Sequence, residues 1–321
     1  MRALVSGGAG FIGSHLVDAL LTEGAEVLVV DDLSVGSREN LEGALVAGVE
    51  LVVEDITEAA AMSRVAEAFG PDRVFHMAGQ IDVRRAVADP VLDASVNVGG
   101  TINLLEAARR AGATFVFAST GGAIYGERAH RGVPVAEDGE CIPESPYGQS
   151  KLAAEGYVDL YRRLHEVPGV SLRLANIYGS RQSPISEAGV VAIFCGKLVA
   201  DAAPTVFGDG EQTRDFLYVR DAVEAILAAE RKLSASGAEP LGPYNVGTGR
   251  ETSVLELIER LARLGGRSDW APRMAPPRTG EVQRIALDSE RARAELGWSP
   301  ATELDEGLEL TLAALTHESP A

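Results

Sequence analysis

A glycine-rich segment follows the first short apolar run of the chain. Gly7, Gly10 and Gly13 recur at every third residue between a predicted strand at 2–6 and a predicted helix that begins at Phe11. Glycine allows a tight turn and lets backbone N–H groups at a helix N-terminus approach a pyrophosphate closely. The segment therefore predicts a strand, turn and helix that bind a dinucleotide, with Phe11 and Ile12 next to the phosphates.

Short β-branched runs alternate with longer helical patterns through the first half of the chain. Such alternation is typical of βαβ units, so we predict an α/β fold with a Rossmann-like, doubly wound parallel sheet. Beyond residue 174 prolines interrupt the pattern, which predicts a smaller C-terminal substrate-binding domain. The predicted strands cover residues 2–6, 26–30, 50–53, 73–76, 114–118 and 170–174, and the predicted helices cover 11–23, 58–69, 91–111 and 147–165.

The charge balance argues against several kinds of partner. The 29 Lys and Arg residues against 47 Asp and Glu residues give a formal net charge of −18, which repels nucleic acid and anionic membranes. Any phosphate site must therefore be built locally. Two distant cysteines and five scattered histidines form no metal motif, and no run of apolar residues is long enough to span a membrane. We expect a cytoplasmic protein without a metal.

Acidic residues end the second and third predicted strands. Asp31 lies eighteen residues after Gly13, where a carboxylate can accept hydrogen bonds from an adenosine ribose. Because a 2′-phosphate would face this carboxylate, the position favours NAD over NADP. Asp32 follows it, and Asp55 and Ile56 are predicted to border the adenine. The alternative for each aspartate is a solvated turn at a strand end.

A phenol and an ammonium are spaced for proton transfer. Tyr147 and Lys151 lie one helical turn apart, so both project from one face of a predicted helix. A fixed cation nearby favours the phenolate, and the positive nicotinamide of NAD⁺ favours it further. Ser119 and Thr120 end the fifth predicted strand and offer a hydroxyl to share the proton. A surface pair and a helix cap are the alternatives for these residues.

Several longer motifs accompany these residues. With them the chain resembles the extended short-chain dehydrogenase/reductase family, and within it the UDP-glucose 4-epimerases, over nearly its whole length. The motifs lie at residues 7–13, 75–79, 119–126, 145–151, 173–179, 207–216, 244–247 and 278–281.

The resemblance implies a role for each matching residue. Tyr147 is the expected acid/base and Lys151 its electrostatic partner, and both contact the cofactor. Thr120 is the expected hydroxyl, with Ser119 as the alternative because the family usually has one residue fewer before the Tyr125-Gly126 pair. Further expected ligands of NAD are Ala78, Gly79 and Asn97, and expected ligands of the nucleotide sugar are Asn176, Arg214, Arg278 and Glu281.

The resemblance also implies a reaction and a domain division. We expect NAD-dependent 4-epimerisation of a UDP-hexose through a 4-keto intermediate, catalysed by a homodimer. The NAD-binding domain is expected at 1–172, with a return at about 216–247, and the nucleotide-sugar domain at 173–215 and 248–321. A UDP-glucuronate 4-epimerase or decarboxylase, a UDP-N-acetylglucosamine 4-epimerase and a non-catalytic NAD-binding regulator stay open. Glycines 121 and 122 replace the Asp-Glu pair that a 4,6-dehydratase would carry.

Overall fold

Thirteen strands lie in the part of the chain that the computed structural model describes, which is residues 1–127, 133–183, 189–236, 239, 241–277 and 282–317. They are β1 (Arg2–Ser6), β2 (Glu26–Val30), β3 (Glu50–Val52), β4 (Arg73–His76), β5 (Thr114–Thr120), β6 (Gly169–Leu174), β7 (Asn176–Tyr178), β8 (Thr205–Phe207), β9 (Thr213–Arg214), β10 (Phe216–Tyr218), β11 (Tyr244–Val246), β12 (Thr252–Ser253) and β13 (Arg273–Ala275).

Helices connect most of these strands. They are α1 (Phe11–Thr22), α2 (Glu42–Val46), α3 (Ala59–Phe69), α4 (Val83–Ala88), α5 (Pro90–Ala94), α6 (Gly100–Ala111), α7 (Gly121–Ile124), α8 (Pro146–His165), α9 (Val190–Val199), α10 (Val219–Ser236), α11 (Val254–Leu264), α12 (Glu290–Leu296) and α13 (Leu304–His317). A 3₁₀ turn precedes α2 at Glu39–Leu41, and a π-helical turn separates α5 from α6 at Ser95–Gly99.

Seven of the strands form one parallel sheet in the order β11-β6-β5-β4-β1-β2-β3. The order reverses at β1, because β2 and β3 lie on one side of it and β4, β5 and β6 on the other. In a doubly wound sheet, ligands bind at the carboxyl ends of the strands where the order reverses. The predicted fold class is confirmed, and the switch point lies between the loops that follow β1 and β4.

Alternate residues of the central strands pack on opposite faces of the sheet. Ala3 and Val5 of β1 belong to one buried cluster, whereas Leu4 belongs to another. The first cluster includes Leu16 and Leu20 of α1, and the second includes residues of α3, α6 and α8. Helices therefore cover both faces, which is why the strand sequences are almost continuously apolar.

The predicted helix over 91–111 is confirmed as one helical run, and a widened turn at Ser95–Gly99 lies within it. Pro90 begins a short helix that is capped by Asp89, whose side chain accepts a hydrogen bond from the Leu92 N–H at 3.0 Å. The π-helical turn then adds a residue to the coil before α6 begins at Gly100. Apolar periodicity does not reveal a single widened turn, because the residues on either side keep the helical pattern.

The second half of the chain adds one strand to the large sheet and forms small two-stranded sheets outside it. Strand β11 joins the large sheet beside β6, while β10 pairs with β7 outside it. The pairs β9–β12 and β8–β13 form two further small sheets, and Val206 of β8 belongs to a buried cluster with Phe194 and Trp270. The division into two domains stays a prediction. Among the described helices, none combines the length and the apolar character needed to span a membrane.

Candidate active site

The glycine-rich turn after β1 is closely packed. Gly7 has a φ of +71°, and a Cβ atom there would lie 2.5 Å from the backbone nitrogen of Ala78 in the loop after β4. A Cβ atom at Gly13 would lie 2.1 Å from the Gly7 carbonyl oxygen. Helix α1 begins just after Gly10, which has no side chain to cap the first N–H groups. These N–H groups form a site suited to a phosphate.

Asp31 braces this turn. One carboxylate oxygen accepts a hydrogen bond from the Ala9 N–H and the other from the Leu33 N–H, both at 2.9 Å. Burial raises the pKa of Asp31, and these two hydrogen bonds oppose the shift. Each oxygen can accept a second hydrogen bond, so a ribose contact is compatible with this bracing.

The other acidic positions that were predicted to contact the cofactor make local turns. Asp32 accepts hydrogen bonds from the N–H and hydroxyl of Ser34, and Asp55 accepts one from the Thr57 N–H at 2.8 Å. Ile56 is buried, and its side chain lies where a Cβ atom on Gly100 would be. These contacts are the ones the turn alternative predicts, so the cofactor roles of these residues stay predictions.

The loop after β4 forms a cradle at Gly79. A Cβ atom there would lie 2.7 Å from Asn97 Oδ1 and 3.1 Å from Lys151 Nζ. Asn97 Nδ2 donates to the Gln80 carbonyl at 2.9 Å and to Asp93 Oδ1 at 3.0 Å. Asn97 Oδ1 is buried and has no hydrogen-bond partner within the described residues. An acceptor and an ammonium that face a glycine suit the hydroxyl groups of a ribose, so these residues fit NAD.

Helix α8 holds the phenol and the ammonium. It begins at Pro146, and the Ser145 hydroxyl caps it by accepting from the Gly148 N–H at 3.2 Å. Lys151 is 4% exposed, and its Nζ donates to the Ala118 carbonyl at 3.0 Å and lies 4.8 Å from the centre of the Phe117 ring. Burial lowers the pKa of Lys151 to about 8, against the opposing charges of Asp93 and Glu155.

Burial acts against ionisation of the Tyr147 phenol. Burial raises the pKa of Tyr147 to about 12, and a hydrogen bond with Thr120 opposes this shift. The ammonium of Lys151 donates to the Ala118 carbonyl near the carboxyl end of β5. The phenolate therefore requires a further positive charge beside the ring.

The two hydroxyls that end β5 have different partners. Ser119 is 4% exposed, and its hydroxyl donates to Glu155 Oε1 at 2.5 Å. Thr120 is the residue whose hydroxyl interacts with Tyr147. This geometry favours Thr120 over Ser119 as the partner of the phenol.

A buried polar network lies beneath the pair. Arg173 of β6 binds Glu155 of α8 through three hydrogen bonds of 2.8 to 3.2 Å, and it also donates to the Tyr125 hydroxyl at 2.9 Å. Tyr125 in turn donates to Asn245 Oδ1 at 2.7 Å. The network joins the helix that carries Tyr147 to strands β5, β6 and β11.

Sequence reasoning missed the acidic members of this region. Glu155 lies one turn after Lys151 and two turns after Tyr147, so a spacing of four residues places it on the same helix face. Asp93 lies four residues before Asn97 and is fully buried. Neither residue differs in its local sequence from an acidic residue on a solvated helix face, so only the structure reveals their burial.

The predicted substrate residues are only partly brought together. Asn176 lies in β7, and its Oδ1 would be 3.6 Å from a Cβ atom on Gly122, which would be 3.8 Å from the Thr120 hydroxyl oxygen. Arg214 lies in β9 and donates to the Thr213 carbonyl at 2.8 Å. Arg278 and Glu281 lie outside the described residues.

Asp215 fixes the strand next to Arg214. Its buried carboxylate accepts hydrogen bonds from the N–H groups of Thr248, Gly249 and Leu287 at 2.9 to 3.1 Å. A Cβ atom on Gly247 would lie 2.5 Å from this carboxylate. The carboxylate therefore binds backbone N–H groups of two loops, and these hydrogen bonds fix the position of the residue next to Arg214.

Comparisons with known proteins agree with this geometry. A model of the NAD dependent epimerase/dehydratase family matches residues 3–247. The chain is 45% identical to a UDP-glucose 4-epimerase of Mycolicibacterium smegmatis, over 99% of this chain and 100% of that protein.

Two solved structures are similar over 99% of this chain. One is the UDP-glucose 4-epimerase of Thermotoga maritima with UDP-glucose, at 40% identity, a TM-score of 0.91 and 99% coverage of that chain. The other is the UDP-glucose 4-epimerase of Thermus thermophilus in complex with NAD, at 40% identity, a TM-score of 0.88 and 100% coverage of that chain.

Proposed function

The chain belongs to the NAD dependent epimerase/dehydratase family, and from this premise we propose that it interconverts UDP-glucose and UDP-galactose by inverting C4 of the hexose. The resemblance to extended short-chain dehydrogenases/reductases is thereby confirmed, and the protein is an NAD-dependent enzyme of the epimerase type. One observation carries the proposal: Tyr147, Thr120 and Lys151 lie together at the carboxyl end of β5, beside the glycine cradle at Gly79.

Different residues of this chain would bind NAD and transfer the proton. The N–H groups at the start of α1 would hold the pyrophosphate, Asp31 the adenosine ribose, and Asn97 with Lys151 the nicotinamide ribose. When bound, oxidised NAD supplies a hydride acceptor and a positive charge that favours the phenolate. Tyr147 then takes the proton of the C4 hydroxyl, with Thr120 as the hydrogen-bond partner of its phenol.

Inversion requires that the 4-keto sugar present its other face before the hydride returns. Tyr147 gives its proton back to the C4 oxygen in this second half of the cycle. Binding must therefore be strong at the nucleotide and adaptable at the hexose. Asn176, Arg214 and Arg278 are the proposed ligands of the nucleotide diphosphate, and two guanidinium groups would supply the positive charge that a chain of net charge −18 otherwise lacks.

The alternatives have less support in the described residues. A uronate substrate needs cations for its carboxylate, but Arg84 and Arg85 are exposed on α4, and Arg181 pairs with Asp18 at 2.7 Å. For an N-acetylated sugar, the resemblance points to Ile285 as the residue near the 2-substituent, and Ile285 is 2% exposed within an apolar cluster. A non-catalytic regulator would not need the tyrosine and lysine that this chain retains.

A homodimer is part of the proposal. Apolar side chains are exposed along α4, α5 and the end of α8, which supports an interface built from these helices. The exposed fractions are 41% for Val83, 62% for Val87, 77% for Val91 and 64% for Leu164. The cytoplasmic location and the absence of nucleic-acid and membrane partners stay predictions.

Turnover without external reductant tests the proposed function. We expect the purified protein to convert UDP-galactose into UDP-glucose with no consumption of added NADH. The variant Tyr147→Phe should lose activity by about 10²-fold or more, because the acid/base is removed. Tyr157→Phe, also on α8, is the matched control and should keep its activity. Release of NADH in proportion to product would show a dehydrogenase and overturn the proposal.

A further inference from the structure

Asp93 is a fully buried carboxylate close to the proposed acid/base pair. It lies in α5 with none of its surface exposed. Its Oδ1 accepts hydrogen bonds from Gln80 Nε2 at 2.9 Å and Asn97 Nδ2 at 3.0 Å. Its Oδ2 is buried and has no hydrogen-bond partner within the described chain. A buried carboxylate in such a place is costly unless a positive charge compensates it.

Asp93 and Asn97 lie four residues apart on one helical run, so their side chains meet on the same face. The π-helical turn at Ser95–Gly99 directly follows α5, and Asn97 lies within it. Asn97 Nδ2 donates to Asp93 Oδ1, while Asn97 Oδ1 faces Gly79. Single widened turns inside helices are frequent at functional sites. Asp93 is thus tied through one hydrogen bond to the wall of the cofactor cradle.

Among the described residues, Lys151 is a buried cation that donates to a backbone carbonyl and not to a carboxylate. Lys151 is the cation on which both Asp93 and Glu155 act. Glu155 is already bound by Arg173, so its charge is largely satisfied. His76 is fully buried and its pKa is well below the usual value because of burial, so it stays neutral. The described charged and titratable groups in the region of Asp93 and Lys151 also include His76 of β4, Arg173 of β6, and Tyr147 and Glu155 of α8. Arg84 and Arg85 of α4 are exposed.

We propose that Asp93 is a positioning residue that holds Lys151 as a cation and sets the pH range in which Tyr147 exchanges its proton. The part of this inference that concerns proton exchange rests on the proposed function. The part that concerns Lys151 rests on the burial of both side chains and on Asn97, which binds Asp93 and faces Gly79 together with Lys151 Nζ. Asp93 would act through Lys151, without contact with the substrate or its reacting carbon.

The pH dependence of kcat tests the first part. Asp93→Asn keeps the shape and the Oδ1 acceptor but removes the charge. Because this charge raises the pKa of both Tyr147 and Lys151, its loss should move both limbs of the profile to lower pH, by about one unit. Asp89→Asn is the matched control, since Asp89 is an exposed helix cap on the same segment. Its profile should stay in place.

A double-mutant cycle tests the coupling between Asp93 and Lys151 without any turnover. Thermal unfolding is measured at pH 7 for Asp93→Asn, Lys151→Met and the double variant. Each single variant leaves one buried charge uncompensated, so the loss of Tm in the double variant should be smaller than the sum of the two losses. If Asp93→Asn does not fold, Asp93→Ser replaces it in the cycle.

The outcomes separate this inference from the proposed function. Additive losses of Tm, or a pH profile that Asp93→Asn leaves unmoved, overturn the role of Asp93 even if activity falls. A chain without epimerase activity overturns the proposed function, while the cycle still decides whether Asp93 and Lys151 are coupled.

Discussion

The absence of a side chain at Gly79 leaves space between the loop after β4 and the side chains of Asn97 and Lys151. A methyl group there would approach Asn97 Oδ1 and Lys151 Nζ to 2.7 and 3.1 Å, and both side chains are held by other hydrogen bonds. Lys151 donates to a backbone carbonyl and Asn97 to Asp93 and Gln80, so neither can withdraw easily. The smallest side chain would therefore fill the space proposed for the nicotinamide ribose.

Substitution of Gly79 by alanine should weaken NAD binding while the fold is kept. We expect Gly79→Ala to raise the Kd for NAD by about tenfold or more, which corresponds to about 1.4 kcal/mol. Gly43→Ala is the matched control, because a Cβ atom on Gly43 meets no atom within 4 Å. Calorimetric titration with NAD measures both variants. Unchanged affinity in Gly79→Ala would exclude this position from the cofactor site.

The individual residues of the site were predictable to different degrees. Tyr147, Lys151 and the glycines stand out because their spacing is required by chemistry or by a close backbone approach. Asp93 and Glu155 do not, since a single acidic residue in a helix has the same local sequence signal whether it is buried or solvated. The choice between Ser119 and Thr120 also needed the structure, because adjacent residues of a strand point to opposite faces.

Helix α8 is the element on which the site depends. It carries Tyr147, Lys151 and Glu155 at intervals of four residues, and the buried pair of Glu155 with Arg173 fixes it to β6. Both side chains of this pair are less than one-tenth exposed. Loss of either partner leaves an uncompensated charge in the interior, which is costly.

Neutralisation of Glu155 should therefore destabilise the protein. We expect Glu155→Gln to lower the free energy of unfolding by about 3 kcal/mol or more. Asp159→Asn removes an exposed ion-pair partner on the same helix and should cost less than about 1 kcal/mol. Urea denaturation of both variants gives the comparison. Equal stability of the two variants would mean that the buried pair does not anchor α8.

Most elements of the sheet were predictable from sequence, whereas their irregularities were not. Strands β1, β2 and β4 have the predicted bounds, and β5 continues two residues further, to Thr120. The extension matters because Thr120 is the proposed hydroxyl partner of Tyr147. Strand β11 is three residues long and pairs with β6 across a long stretch of chain, so no local pattern reveals its place in the sheet.

The fold of the whole molecule places the proposed chemistry at the reversal of strand order. The loops after β1 and β4 meet at Gly7 and Ala78, and β5 delivers Thr120 at the same edge of the sheet. The later part of the chain supplies Asn176 and Arg214 from short strands outside the large sheet. A doubly wound fold hosts many reactions, so the reaction is argued from the side chains at this edge.

An epimerase that returns the same hydride to C4 retains an isotope label at that carbon. UDP-galactose that carries deuterium at C4 is incubated with the purified protein, and the UDP-glucose formed is analysed by NMR and mass spectrometry. We expect that the UDP-glucose product keeps its deuterium at C4 and that no NADH accumulates. Product with ordinary hydrogen at C4 would contradict this expectation, because the hydride would then have exchanged instead of returning to the carbon that it left.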